Sequence, residues 1–365
     1  MKMMRRALCA MMAVLLVAVS VTGCSAPKLT IGGTPDTAGK VGDITISTGE
    51  YLAYLYGTFY DLYYSQGLYQ YEQYGTDIWT QKYPYGEGDD AEQLSLVDYM
   101  HRMAQDTILR QIAVQQLLDE NGLKWDAEKE AEIDKDLKEN LTADAYLPLG
   151  FNNDNYIKMY KTTSLGESSL FYGLYGEGGK KEMGKDDRRT YFDKNMLSYK
   201  MISKEMLDSE GADLPEKDQQ QIKTLLDGYL DLYKRTGSFE KVVDEANANG
   251  AAEGEEITPS TDKDNRRNND ATQMDEELVK TIRDIPVGQA KVVTYKAGGS
   301  TLTAALILRL DINKPDTLFA DMTEQIIYGA KFEEFDKDVT KRVETLHAEF
   351  NKRVVKQCDP RNFLG

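Results

Sequence analysis

Val41-Gly-Asp-Ile-Thr-Ile-Ser-Thr-Gly-Glu-Tyr51 reads as a short alternating strand that runs straight into a helix. Ser47 and Glu50 stand at capping-box spacing, so the serine hydroxyl can accept from the Glu50 amide while the glutamate returns a bond to the cap amide. Leu52, Leu55, Tyr56, Phe59, Leu62 and Tyr63 then follow at helical intervals and form one apolar stripe. A strand feeding an amphipathic helix this near the start of the chain sets the pattern for what comes after it.

Downstream, a long helix is predicted from about Leu94 to Glu120, with Asn121-Gly122 as its stop. Asp126 caps a charged helix through Lys138, and further helical pieces are predicted around 152–163 and 167–175. Long helices joined by short polar turns describe a helical domain. After Lys185 the character changes. Leu197 to Met206 reads as a strand, 219–233 as a helix, and Gly237-Ser238-Phe239 opens a shorter one. Gly250 to Thr272 is acidic, Asn-rich and poor in large apolar side chains, which reads as a mobile loop. A helix at 275–282 precedes strands at 290–295 and 302–310, with Gly298-Gly299 turning between them. Helices return at 319–328 and 331–347, where Phe332, Phe335, Val339, Val343 and Leu346 lie on one stripe.

Upstream, Lys2, Arg5 and Arg6 precede a nearly unbroken apolar run from Ala7 to Ser20, too short to span a bilayer, and Val21-Thr-Gly-Cys24 ends it. This is a secretory leader over 1–23, and the last four residues resemble a bacterial lipobox in which Cys24 becomes the lipidated N-terminus. The bland alternative is an ordinary signal peptide with an incidental cysteine. Residues 25–40 are rich in Gly, Pro, Thr and Ala and suit a flexible spacer. The expected location is the extracytoplasmic face of the bacterial cell membrane, held there by lipid.

Loss of Lys2, Arg5 and Arg6 with the leader takes the formal charge from −17 to −20, which repels phosphate backbones and argues against nucleic-acid binding. Of three cysteines, Cys9 leaves with the leader and Cys24 is modified, so Cys358 has no partner for a disulfide. Asp262-Lys-Asp-Asn-Arg-Arg starts like a calcium loop but puts arginine where a ligand is needed and lacks the glycine. No phosphate loop, Ser-His-Asp set or Cys/His metal spacing occurs, so no metal and no small-molecule cofactor are expected.

Eleven of the 23 tyrosines lie between Tyr51 and Tyr85. Tyrosine offers contact area at low entropic cost with a polar tip, so Tyr54, Tyr56, Phe59, Tyr60 and Tyr63 are candidates for binding apolar segments of other proteins. Packing of a helical core with tips at its rim is the competing reading.

Three stretches together resemble SurA-type and PrsA-type foldases: Val41 to Tyr51, the long helix closing in Glu120-Asn-Gly-Leu, and Arg189-Thr-Tyr-Phe-Asp-Lys-Asn. Leu225-Leu-Asp-Gly-Tyr-Leu, Gly237-Ser-Phe-Glu-Lys-Val-Val-Asp-Glu-Ala, Asp275-Glu-Glu-Leu-Val-Lys-Thr-Ile and Leu306-Ile-Leu-Arg-Leu are similar to parts of a parvulin domain. The resemblance implies an α+β chain: a helical chaperone domain over 41–189 and 314–365, the tail helix folding back on the first helices, and an inserted parvulin-like domain over 190–313 with a small antiparallel sheet. A tail helix free to seek a partner is the alternative. It further implies a chaperone or foldase whose partners are unfolded or exported polypeptides.

Parvulins carry a histidine on the first strand and another on the last, facing across the proline pocket. Here Met201 and Ala305, or their neighbours, stand at those positions, and the only histidines, His101 and His347, lie outside this domain. His101 reads as a packed or rim residue and His347 as a solvated helix residue. Met274 corresponds to the pocket edge. Isomerisation needs no nucleophile, only a lowered barrier of roughly 18–20 kcal/mol to amide rotation, and the missing imidazoles remove the polar floor that would lower it. The reading is a catalytically degenerate module. The alternatives are an active prolyl isomerase using Tyr199 and Ser203 instead, and a solute-binding or envelope scaffold lipoprotein.

Overall fold

Ser47 ends a strand and starts a helix, as its spacing to Glu50 implies. In the computed structural model, β1 (Thr37–Val41) turns at Gly42 into β2 (Ile44–Ser47), and α1 (Thr48–Tyr60) begins at once. The Glu50 amide donates to Ser47 Oγ at 3.1 Å and the Ser47 amide donates to Glu50 Oε2 at 2.9 Å, closing the capping box. The structure describes residues 37–364 apart from 87, 143, 209, 210 and 254–265. The leader, Cys24 and the spacer as far as residue 36 therefore lie outside the described residues, whereas residues 37–40, expected to belong to the flexible spacer, form most of β1, paired with β2 and β9 and with Ala38 buried. Two units divide the chain: one extends to Lys180 and resumes at Glu333, the other is Lys181–Phe332. The fold is α+β.

In the first unit α1 passes through a wider turn at Asp61–Ser65 into α2 (Leu68–Gln73), then a hairpin of β3 (Lys82–Tyr85) and β4 (Glu92–Ser95). Ser95 accepts from the Asp98 amide and caps α3 (Leu96–Asn121), which Gly122 ends with φ of 68°, the left-handed conformation that glycine adopts freely. Asp126 caps α4 (Ala127–Asn140), and Asn152 caps α5 (Asn153–Tyr175). The two helical pieces expected at 152–163 and 167–175 are thus one helix. Gly166, in the gap between them, sits where α5 packs on α3. A side chain at 166 would start 3.2 Å from Gln111 Oε1 and 3.3 Å from Val114, so the glycine permits close approach.

The second unit runs through α6 (Lys185–Asn195), β5 (Met196–Glu205), α7 (Glu216–Thr236), α8 (Phe239–Glu253), β6 (Arg266–Asp270), α9 (Glu276–Arg283), β7 (Ala290–Ala297), β8 (Thr301–Arg309) and α10 (Leu318–Asp321). Its sheet has the order β6-β5-β8-β7, antiparallel throughout. Strand alternation splits the side chains. Ile202, Ala304, Leu306 and Leu308 pack beneath α7 and α8 with Ile222, Leu226, Phe239 and Val242, while Tyr199, Met201, Ala305 and Ile307 pack with Ile282 of α9. Gly298 and Gly299 both take positive φ, which the tight hairpin between β7 and β8 requires.

The expectation of a mobile loop over 250–272 is corrected in part. Residues up to 253 belong to α8, β6 pairs with β5 from Met196↔Asp270 to Lys200↔Arg266, and 254–265 lie outside the described residues. The polar composition serves an edge strand: Arg266 Nε donates to Ser198 Oγ at 3.0 Å, and buried Asp270 accepts from Tyr191 OH at 2.6 Å. Residues 314–332, expected with the helical domain, group with the second unit, where Leu318, Met322 and Ile326 pack with Phe192 and Met196.

α11 (Thr323–Glu344) follows after a break at Met322, rather than between 328 and 331 as the sequence suggested. From Glu333 onward its residues belong to the first unit. Phe335 meets Phe171 edge-on with centroids 5.3 Å apart, Arg110 lies between Glu167 (2.6 Å) and Asp336 (2.8 Å), and Arg342 grips Glu120 at 2.5 Å. β9 (Ala348–Phe350) joins β1 as a third strand, and α12 (Lys352–Gln357) and the turn Pro360–Leu364 close the unit. The tail therefore completes the N-terminal helical core, where Val354 and Phe363 join Tyr51, Leu55, Phe59 and Met100.

Candidate functional site

Two surfaces hold the residues singled out in the sequence, one in each unit. In the second, the strand register sets the geometry. Met201 stands opposite Ile307 and Ala305 opposite Ser203, so Met201 and Ala305 are diagonal neighbours on the sheet face that α9 covers. Both are buried, as is Tyr199, whose hydroxyl accepts from Asn269 Nδ2 at 3.1 Å. Ser203 is exposed near the strand end, and Met274 is half-buried against the same cluster. Tyr295 completes the face; burial above all, with Tyr199, Asp275 and Glu205 nearby, raises its phenol above the ordinary value against the pull of Arg267.

That face consists of thioether, methyl and ring carbon with two phenol tips. Such a surface packs apolar groups and offers no imidazole to a twisted amide, since residues 181–332 contain no histidine. His101 lies in the first unit, buried, with its Nδ1 2.8 Å from Tyr51 OH and its ring stacked on Tyr51. His347 is exposed between α11 and β9 rather than within the helix.

The tyrosines of the first unit separate into core and surface. Phe59 and Tyr63 are core residues, stacked at 5.1 Å, so these two candidates do not offer themselves to a partner. Tyr54 and Tyr56 are half-buried. Tyr56 packs edge-on against Phe363 at 5.4 Å and Tyr146 at 5.6 Å, and burial pushes its phenol up to about 12. Tyr60 alone among the five candidates is exposed, at 40%; beside it lies Tyr64 (45%), and the same unit also exposes Tyr71 (60%) and Tyr74 (88%).

Tyr60 and Tyr64 belong to a connected belt of rings, while Tyr71 and Tyr74 are exposed on and just after α2. Tyr60 and Tyr64 lie 5.2 Å apart one helical turn from each other, Tyr64 meets Tyr63 edge-on at 5.0 Å, and Tyr63 stacks toward Trp79 at 6.4 Å. In the other direction Tyr56 leads through Tyr146 to Tyr156, stacked at 4.2 Å, and on to Tyr160 at 5.9 Å. Polar tips are anchored from below: Tyr63 OH donates to Glu72 Oε2 at 2.5 Å and Trp79 Nε1 donates to Glu72 Oε1 at 3.0 Å. Burial, with the Glu72 carboxylate beside it, raises the Tyr63 phenol to about 12. The sequence reading missed Tyr64, Tyr71 and Tyr74. The signal was present in the i, i+4 and i, i+3 spacings of Tyr60/Tyr64 and Tyr71/Tyr74, which put each pair on one helical face, the first beside the buried stripe of Phe59 and Tyr63.

No protein-family model matches the chain, and no curated protein matches it in sequence. Among solved structures it is similar to the foldase protein PrsA from Streptococcus pneumoniae strain Canada MDR_19A, at 11% identity over 72% of this chain and 92% of that one, with a TM-score of 0.34. It is similar to the foldase protein PrsA from Lactococcus lactis at 8% identity over 89% of this chain and 100% of that one, with a TM-score of 0.36. PrsA from Bacillus subtilis matches at 16% identity over 76% and 94%, with a TM-score of 0.27.

Proposed function

We propose that this chain is a lipid-anchored extracytoplasmic chaperone of the foldase type. Its first unit holds unfolded or exported polypeptides on the tyrosine belt, and its second is a parvulin-like module without efficient catalysis. The observation that carries the reading is the exposure of Tyr60, Tyr64, Tyr71 and Tyr74 on one unit while their neighbours Phe59 and Tyr63 pack its core. Exposed rings backed by buried rings are pre-positioned, so an extended client meets little ordering cost on the chaperone side. Each aromatic contact adds about 0.5–1.5 kcal/mol, which suits reversible capture.

Burial of Tyr199 beneath the Asn269 bond supports the degenerate reading over an active isomerase that would use its hydroxyl. Anchoring would come from Cys24, the cysteine of the lipobox-like Val21-Thr-Gly-Cys24; among the described residues no helix is long and apolar enough to cross a membrane. The test of the second unit uses the mature chain and a proline-containing peptide. No acceleration over the spontaneous rate is expected. Strong turnover that disappears in Tyr199→Phe or Met201→Ala would establish an isomerase instead.

A further inference from the structure

We propose that the tyrosine belt selects client segments in which a lysine or arginine stands beside an apolar side chain. The inference rests on the holding role above and adds the chemistry of the ligand. Between Tyr51 and Gln81 the sequence contains no lysine or arginine, but it contains the carboxylates Asp61, Glu72 and Asp77. Among the described residues no basic side chain pairs with any of the three. Glu72 spends its hydrogen bonds on Tyr63 and Trp79, and Asp61 accepts from Gln66 Nε2 at 2.9 Å, so each is fixed in place by neutral donors that leave its charge uncompensated.

Two cations of α5 are engaged elsewhere. Lys158 pairs with Glu50, and Lys161 lies 2.9 Å from both Glu130 and Asp134. Tyr60 and Tyr64 are 40% and 45% exposed, and the face of a phenol ring carries the negative side of its quadrupole, which attracts a cation at close range. The unit shows such a contact within itself, with the Arg102 guanidinium 5.8 Å from the Tyr85 ring centre. A client carrying leucine next to lysine can lay its methyl groups on one ring and its ammonium over another, with Glu72 and Asp61 supplying the counter-charge. An acidic client meets the same carboxylates as repulsion.

The experiment uses the full mature chain and three dye-labelled unstructured peptides of equal length, in which leucine alternates with serine, lysine or glutamate, with binding followed by anisotropy at physiological salt. The lysine peptide should bind about fivefold or more tightly than the serine peptide, and the glutamate peptide most weakly. Glu72→Gln and Asp61→Asn should each remove much of that preference, Asp61→Asn guarding against local unfolding in the first. Glu128→Gln, an equal change of charge on exposed α4, should leave it intact. Equal binding of the lysine and serine peptides would overturn the selection while leaving the holding role standing, as would a preference that Glu128→Gln lowers as much as Glu72→Gln. Binding of none of the three would overturn both.

Discussion

Arg110 joins three helices of the first unit with one guanidinium, which donates to Glu167 through Nε and Nη2 and faces Asp336 through Nη1 at 2.8 Å. All three side chains are largely withdrawn from water, so truncating the arginine leaves two carboxylates facing each other unpaired. Arg110→Ala is expected to cost about 2–3 kcal/mol, discounted from the fully buried case because the site keeps some solvent access. Denaturant unfolding of the mature chain would measure it, and a loss within error would show the triad to be ornamental. His101 makes a second prediction. Burial holds its pKa below the ordinary value against the pull of Asp98 and Asp359, so as pH falls through about 6.5 the unfolded chain takes up the proton first. The stabilisation is complete above that pH and declines below it. Thermal melts at pH 7.5 and 5 should show a lower midpoint at pH 5, and His101→Gln should flatten the slope between pH 6.5 and 5, a window above the ordinary carboxylate range.

At the scale of elements, local signals were readable and distant ones were not. The strand-to-helix switch at Ser47 and the cap at Asp126 each depend on residues three or fewer positions away, and both stand where the sequence puts them. Continuity of α5 through Gly166 depends on α3 lying against it, and the strand at Arg266–Asp270 depends on β5 offering Ser198, neither of which spacing can reveal. Which tyrosines are buried likewise depends on the tail, because Phe363 covers Tyr56 and Phe59 from nearly the far end of the chain. The same dependence gives a test. Ending the chain at His347 removes β9, α12 and Phe363, and exposes the apolar core they cover. The truncated protein should lose the cooperative melting of its first unit and bind a hydrophobic dye. A truncated chain that melts like the full one would show that the tail is an accessory.

At the scale of the molecule, the two units differ in where they place their apolar and ring side chains. The sheet face of the second unit is packed with Met201, Ala305 and Ile307 beneath α9, an arrangement that supports rigidity, whereas the first unit leaves rings on its surface. The net charge of −17 opposes self-association of such a surface through mutual repulsion. The most direct measurement is light scattering from an aggregating unfolded client, with the mature chain compared against a variant carrying Tyr60→Ser, Tyr64→Ser, Tyr71→Ser and Tyr74→Ser. The intact chain should suppress aggregation near equimolar ratio and the variant should lose most of that effect while still melting cooperatively, at a midpoint lowered by the lost ring contacts of Tyr60 and Tyr64. Equal suppression by both, or none by either, would contradict the account.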